Sequence, residues 1–392
     1  MAVNLTNADS ALKSFYLDAV SEQLNNNANP FLAKISQNTN DVWGKEVRKL
    51  AIYGMNGGVG AGTEDGDLPS ASGNNYGEIV STLKNLYGTI EISDKAVRAA
   101  ENNSGAFVNL LNAEMDGLVK SSAFNFGRML FGDGTGVIAK VSGIASGVIS
   151  LSNVQNVIEG MIVDFRDAST GEIIDGAGAR KVVLVDRANK KIKITGTTLT
   201  STEVPNDSLV SVQGSYNNEI TGLKAIFDTT KNLYGLDRSV NAWLNPTVKQ
   251  LSTDITELDI QTVLDEIEEK SGSAVNFIVC SWGVRRTLQK LFAENNRNIN
   301  TLELAGGFKA MSYNGIPIVA DRFCPEGTMY LLNTEDFNLH QLCDWQWLMG
   351  DDGKVLKQMP NKPVYSATLV KYAELICAKP YGQGVITGIE EI

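Results

Sequence analysis

One histidine, His340, serves the whole chain. A Ser-His-Asp relay would have to be built around it, and no G-x-S-x-G elbow precedes it. A centre with several histidine ligands is excluded by the same count. His340 is expected at the edge of a strand, satisfied or exposed. Cys280, Cys324, Cys343 and Cys377 are scattered without a C-x-x-C pair, and read as free thiols in small apolar settings. The stretch "GGVGAGTEDG", residues 57–66, follows a strand-like run, as a phosphate loop would. It lacks the G-K-[ST] ending, Thr63 stands where Gly58-x-Gly60 needs a third glycine, and acidic residues follow where a helix should start. Glu64, Asp65 and Asp67 lack the residue order of a calcium loop and its distal glutamate, so they read as a solvated or partner-facing acidic tip. "GDGTG", residues 132–136, inverts the Asp-Thr-Gly order of a paired-carboxylate protease, has no second copy, and reads as a turn. Arg285, Arg286 and Lys290 make a basic helix face that is solvated or meets an acidic partner. No catalytic, cofactor or metal residues are assigned.

The elements that carry these residues follow from hydrophobic spacing. The chain has 392 residues, a hydrophobic fraction of 43% and a charged fraction of 20%, the composition of a folded protein with more than one core. Its net charge of −11 disfavours phosphate backbones unless basic groups gather on one face. No apolar run is long enough to span a bilayer, and the N-terminal residues lack the order of a signal peptide, so synthesis in the cytoplasm is expected.

Residues 1–45 read as an arm with one short helix, Asp9 to about Leu24. "EVRKLAIYG" and "EIVSTLKNLYGTIEI" read as a long hairpin with an unusually long tip. From Gly105 to about Phe131, Phe107, Leu110, Leu111, Met115, Leu118, Val119, Phe126, Met129 and Leu130 trace one helical face, which predicts a rod of roughly 40 Å. Residues 137–220 break into short alternating runs bounded by Gly, Asn, Asp or Pro, as in a small barrel or sandwich, with a hairpin around Ala188-Asn189. Residues 221–375 alternate helix and strand, which predicts a mixed α/β layer. Two apolar runs, "YSATLVKYAELICAKP" and "GVITGI", close the chain.

In that order the elements resemble the major capsid protein of tailed phages, the Hong Kong 97-like fold. "LFGDGTGVIAKVSGI" resembles the glycine turn after that family's spine helix. "EITGLKAIFDTTKNLYGLDRS" is similar to the segment entering its axial domain, and "MSYNGIPIVADRFCPEGTMYLLNTEDF" to the late core of that domain. The resemblance implies an α+β fold: N-terminal arm 1–45, extended hairpin (E-loop) 46–93, spine helix and peripheral domain 94–136, inserted β-barrel-like domain 137–220, axial α/β domain 221–360, and strands returning to the peripheral domain at 361–392.

It further implies a non-enzymatic shell subunit that assembles with itself as hexamers and pentamers around phage double-stranded DNA, without sequence-specific DNA contacts. Portal and scaffolding proteins, and a decoration protein, are the implied partners; no cofactor and no membrane are. The arm begins at once, so scaffolding is expected from a separate protein, or with help from the insertion. No lysine lies between Lys49 and Lys84, so a covalent bond from the hairpin tip is not expected. Glu64, Asp65, Asp67, Arg285 and Arg286 are the expected subunit-interface residues. A nanocompartment shell of the encapsulin type, and more remotely an α/β enzyme with a β accessory domain, are the alternatives.

Overall fold

A computed structural model describes residues 29–95, 104–294, 301–303, 309–350 and 353–392. The helix expected at Asp9–Leu24 lies outside them. The chain divides into two units, residues 128–223 and the remainder on either side of that stretch. None of the described helices is long and apolar enough to cross a membrane.

The larger unit contains a seven-stranded sheet in the order Thr247–Gln250, Gly384–Thr387, Met329–Leu332, Phe277–Cys280, Ile316–Ala320, Lys309–Tyr313, Thr301–Glu303. Phe277–Cys280 and Met329–Leu332 are buried at every position, because they are central strands with neighbours on both sides. Helix Glu257–Ser271 covers the sheet through Ile260, Val263 and Ile267. Its start is fixed by a capping box between Thr256 and Asp259, and its end by Gly272 in the left-handed region. Ser281 Oγ accepts from Val284 N at 3.3 Å and opens helix Trp282–Glu294.

A second sheet places Phe337–Trp347 between Ser36–Asn38 and Val364–Cys377, and the far edge of Val364–Cys377 receives Lys84–Ser93. Two expectations are corrected here. The run "EIVSTLKNLYGTIEI" is not one hairpin strand: Asn75–Thr82 pairs with Glu46–Tyr53, and Lys84–Ser93 leaves for the second sheet. The break falls at Leu83, which is buried and donates its N–H to the Lys45 carbonyl, reversing which side of the run faces inward. The two closing strands also part. Val364–Cys377 lies in the second sheet, but Gly384–Thr387 pairs with Thr247–Gln250 in the seven-stranded sheet. Gly384 permits this, since a Cβ there would stand 2.6 Å from Ile267 Cδ1 on the covering helix.

The smaller unit is a closed barrel of Val137–Ala145, Val148–Leu151, Lys191–Ile194, Arg180–Asp186, Ile162–Arg166 and Leu209–Val212. Val141, Ile149, Val163, Phe165, Val182, Ile192 and Val210 point inward and are essentially inaccessible. Closure removes the free edges that short strands would otherwise expose. The first of these strands, Val137–Ala145, follows the glycine turn at 132–136 directly and opens the stretch expected to form the barrel.

Candidate subunit interface

The hairpin is built to project. Glu46–Tyr53 and Asn75–Thr82 pair without slippage from Glu46 opposite Thr82 to Tyr53 opposite Asn75. Val47, Ala51 and Ile79 are buried on one face. On the other, Leu50, Ile52 and Tyr76 are 52–60% exposed, beside the ion-paired Glu46, Arg48 and Glu78. At the outer end Tyr53 stacks on Trp243, with ring centroids 5.3 Å apart and planes within 7°. Gly77 lets the ring approach: a Cβ there would lie 2.4 Å from Trp243 Cζ2.

Residues 54–74 form the tip. Its internal bonds are few: Gly58 N donates to Asn56 Oδ1 (2.8 Å), Asn56 Nδ2 to Asn74 Oδ1 (3.1 Å), and Gly66 N to the Thr63 carbonyl (3.2 Å). Glu64, Asp65 and Asp67 are exposed, in company with Met55, Val59 and Leu68, each at 87–90%. The tip thus presents exposed apolar side chains beside exposed acid.

Arg285 and Arg286 lie on helix Trp282–Glu294, and both already have intramolecular engagements. The Arg285 guanidinium sits 4.5 Å over the Trp282 ring, and Arg286 Nε donates to the Ile392 carbonyl at 2.6 Å. The structure places no described residue of the tip against them.

His340 is not at a strand edge. It lies inside Phe337–Trp347, flanked by Asn38 and Glu374 on the neighbouring strands, and is buried. Its Nδ1 meets the Asn40 carbonyl at 2.9 Å, a partner far away in sequence. Desolvation lowers its pKa, against the opposing pull of that hydrogen bond, so the imidazole is neutral. Asp133 Oδ1 accepts from Thr135 N (3.1 Å) and Thr135 Oγ1 (2.5 Å), closing a turn in which Gly134 and Gly136 have positive φ. The cysteines are free, with Cys280, Cys324 and Cys377 buried. Among the described residues no cluster of His, Cys, Asp and Glu could hold a metal ion.

The helix Ser104–Leu130 is the expected rod. It meets strand Lys84–Ser93 at Gly88, where a Cβ would stand 2.8 Å from Leu118 Cδ1, and admits Phe323 at Gly127, where the clash would be 2.5 Å. Phe126 packs edge-on against Trp345 at 6.0 Å. Beside them lies Lys371, fully buried, its Nζ donating to Asp344 Oδ1 (2.8 Å) and Gln37 Oε1 (3.3 Å). Burial lowers the Lys371 pKa, and Asp344 opposes the shift. A cavity of about 400 Å³ opens between Phe124, Trp282, Asp321 and Phe323. Desolvation raises Asp321 to about 7, only partly offset by the hydrogen bond from Phe323 N.

In the barrel unit, Arg128 and Glu219 form a buried two-pronged pair, Nη1 to Oε2 at 2.9 Å and Nη2 to Oε1 at 2.5 Å. Neither residue, nor Lys371 or Trp243, stands out in the sequence. Each is singled out by a partner distant in the chain.

This arrangement of projecting hairpin, rod helix, two sheets and an inserted barrel is the capsid fold of tailed phages. Residues 174–352 match the family model described as SU10 major capsid protein. The cyanophage A-1(L) capsid asymmetric unit matches over 92% of this chain and 92% of its own, with a TM-score of 0.55 at 13% identity. The capsid of a native GTA particle matches over 92% and 90% (TM-score 0.48, 11% identity). The holo-SrpI encapsulin complex of Synechococcus elongatus PCC 7942 matches over 93% and 89% (TM-score 0.47, 9% identity). No curated protein matches the chain in sequence. The family match and the cyanophage fold together support a major capsid protein of the tailed-phage class.

Proposed function

We propose that this chain is the repeating subunit of a phage head, closing an icosahedral shell from copies of itself as hexamers and pentamers. The observation that carries the reading is the hairpin. Its outer face and tip expose Leu50, Ile52, Met55, Val59 and Leu68, and the tip adds Glu64, Asp65 and Asp67. A glycine-rich tip with few internal bonds loses conformational entropy on ordering, which a neighbour's surface has to offset. Head-to-tail contacts of that kind close into rings when the rotation between copies is right.

On this reading the protein works by assembly and performs no reaction. A portal, a separate scaffolding protein and a decoration protein are its partners, and double-stranded DNA is held without base-specific contacts. Synthesis in a bacterial host's cytoplasm precedes incorporation into the virion. The 137–220 insertion projects from the shell wall, and the tip is held by contact rather than by a covalent bond.

Electron microscopy of the expressed protein, with and without a scaffold, tests the proposal. Shells are expected; a folded monomer under every assembly condition refutes it. Reversing Glu64, Asp65 and Asp67 to Lys is expected to lower shell yield with an unchanged circular-dichroism spectrum. An unaltered yield removes the tip's charge from the account.

A further inference from the structure

The barrel carries a concentration of positive charge that is unusual in so acidic a chain. Strand Arg180–Asp186, the turn after it and strand Lys191–Ile194 hold Arg180, Lys181, Arg187, Lys190, Lys191 and Lys193 against a single carboxylate, Asp186. The two arginines are used locally. Arg180 donates to the Gly176 and Thr195 carbonyls and to Thr197 Oγ1, and Arg187 to the Val154 and Val157 carbonyls.

Three of the lysines are different. Register puts Lys193 opposite Leu184 and Lys191 opposite Asp186, while Ile192 and Val182 point into the barrel. Lys181, Lys191 and Lys193 therefore stand on the outer wall, exposed, and none has an ion pair within 4 Å among the described residues. Between them, Val183 and Leu184 are 55% and 49% exposed. An outer wall usually sheds such side chains; an apolar pair flanked by the ammonium groups of Lys181 and Lys193, and by Lys191 beside Asp186, has the make-up of an interface centre with a charged rim.

We infer that this wall receives the hairpin tip of a second copy of the chain, Leu68 and Met55 covering Val183 and Leu184 while Glu64, Asp65 and Asp67 face Lys181, Lys191 and Lys193. The tip has the same composition with the sign reversed, and no lysine or arginine lies between Tyr53 and Ile79 to oppose the match. Another acidic element, helix Glu257–Ser271, is partly neutralised within the chain by Lys249–Asp259 at 2.9 Å and Lys270–Glu266 at 3.5 Å. The basic side of the contact thus moves from Arg285 and Arg286 to the barrel. This rests on the shell reading.

The test mixes full-length Lys193→Cys and Asp65→Cys copies during assembly, oxidises the particles and resolves the chains without reductant. The wild type is the background, since three of its cysteines are buried and Cys343 is half-buried. A covalent dimer that appears only in the mixture is expected. In parallel, Lys181, Lys191 and Lys193 changed to Glu are expected to cut particle yield about tenfold or more at low salt, and combination with Glu64, Asp65 and Asp67 changed to Lys to restore most of it. A Lys→Gln triple variant with native circular dichroism is expected to fall between the two.

Normal particles without the dimer overturn the inference and leave the shell reading standing; folded protein without particles overturns both. In a variant carrying both Lys193→Cys and Asp65→Cys, a disulfide that closes only within one chain also overturns it. So does unchanged assembly of the Lys→Glu variant coupled to lost retention of a DNA fragment, which would assign the wall to nucleic acid.

Discussion

The Glu219→Gln substitution isolates the ion pair at the base of the barrel. Arg128 is 4% exposed and Glu219 2%, and both prongs of the guanidinium end on this carboxylate. Arg128 Nε has no acceptor among the described residues, so the hydrogen bonds shown for the guanidinium all go to Glu219. The amide keeps the shape and can accept at one oxygen, but leaves a buried, uncompensated guanidinium. Breaking such a pair costs about 3–5 kcal/mol. At about 1.4 kcal/mol per tenfold, the barrel's open population should rise by roughly two to three and a half orders of magnitude. Because none of the tryptophans lies between Arg128 and Leu223, the assay is amide hydrogen exchange resolved by peptide over residues 128–223. Exchange in the barrel should accelerate by that factor, with little change in strands Phe277–Cys280 and Met329–Leu332. The double variant Arg128→Met with Glu219→Leu, apolar and close in volume, should return most of the protection. A rise below about tenfold in Glu219→Gln, or a double variant worse than the single, would refute the reasoning that an unpaired charge is what destabilises.

Asp321 should give the larger unit a pH signature. Its folded-state pKa is raised to about 7, so the folded state holds a proton that the unfolded chain releases near 4, and stability falls as pH rises between those values. Asp321→Asn should therefore stabilise at pH 8 and make little difference near pH 4; denaturant titrations at the two pH values that show equal effects would contradict this. Gly77→Ala should loosen the hairpin, since its Cβ would meet the Trp243 ring at 2.4 Å, and faster exchange across Glu46–Tyr53 and Asn75–Thr82 is the readout. At Lys371 the two halves of one contact should differ. Asp344→Ala takes the carboxylate away from an ammonium group with no exposure and leaves it the neutral Gln37 Oε1, whereas Lys371→Met leaves a carboxylate 40% open to water and fills the space beside Phe126 and Trp345. The former should lower the melting temperature more, and the reverse order would show that packing outweighs charge.

The elements were readable where a local pattern decides them. Short apolar runs bounded by turn residues mark five barrel strands, and alternation places residues such as Ile149 and Ile192 in the interior. The rod helix and the capped helix Glu257–Ser271 follow from spacing and from Thr256 with Asp259. What was not readable depends on distant partners. Val137–Ala145 follows the glycine turn directly and is held by Val148–Leu151 and Leu209–Val212. His340 resembled an edge residue because its Asn40 partner belongs to the arm. The break at Leu83 depends on Lys45, and Lys371 and Glu374 hide in an apolar run whose buried face the sequence does not declare. Among the candidate interface residues the acidic tip was visible as composition, but the engagement of Arg286 by the Ile392 carbonyl was not.

The Arg128–Glu219 pair also bears on the order in which the chain becomes ordered. The residues are 91 apart in sequence yet joined by two hydrogen bonds. Once the barrel has formed, the segment after it departs from almost the same point at which the rod helix ends. For the rest of the molecule a closure of 91 residues has shrunk to that of a tight turn, which in a flexible-loop estimate is worth roughly 3 kcal/mol of chain entropy. A barrel that folds early would thus act as a clasp on the nascent chain, shortening the search that brings strand Lys84–Ser93 against Val364–Cys377 and Ser36–Asn38 against Phe337–Trp347.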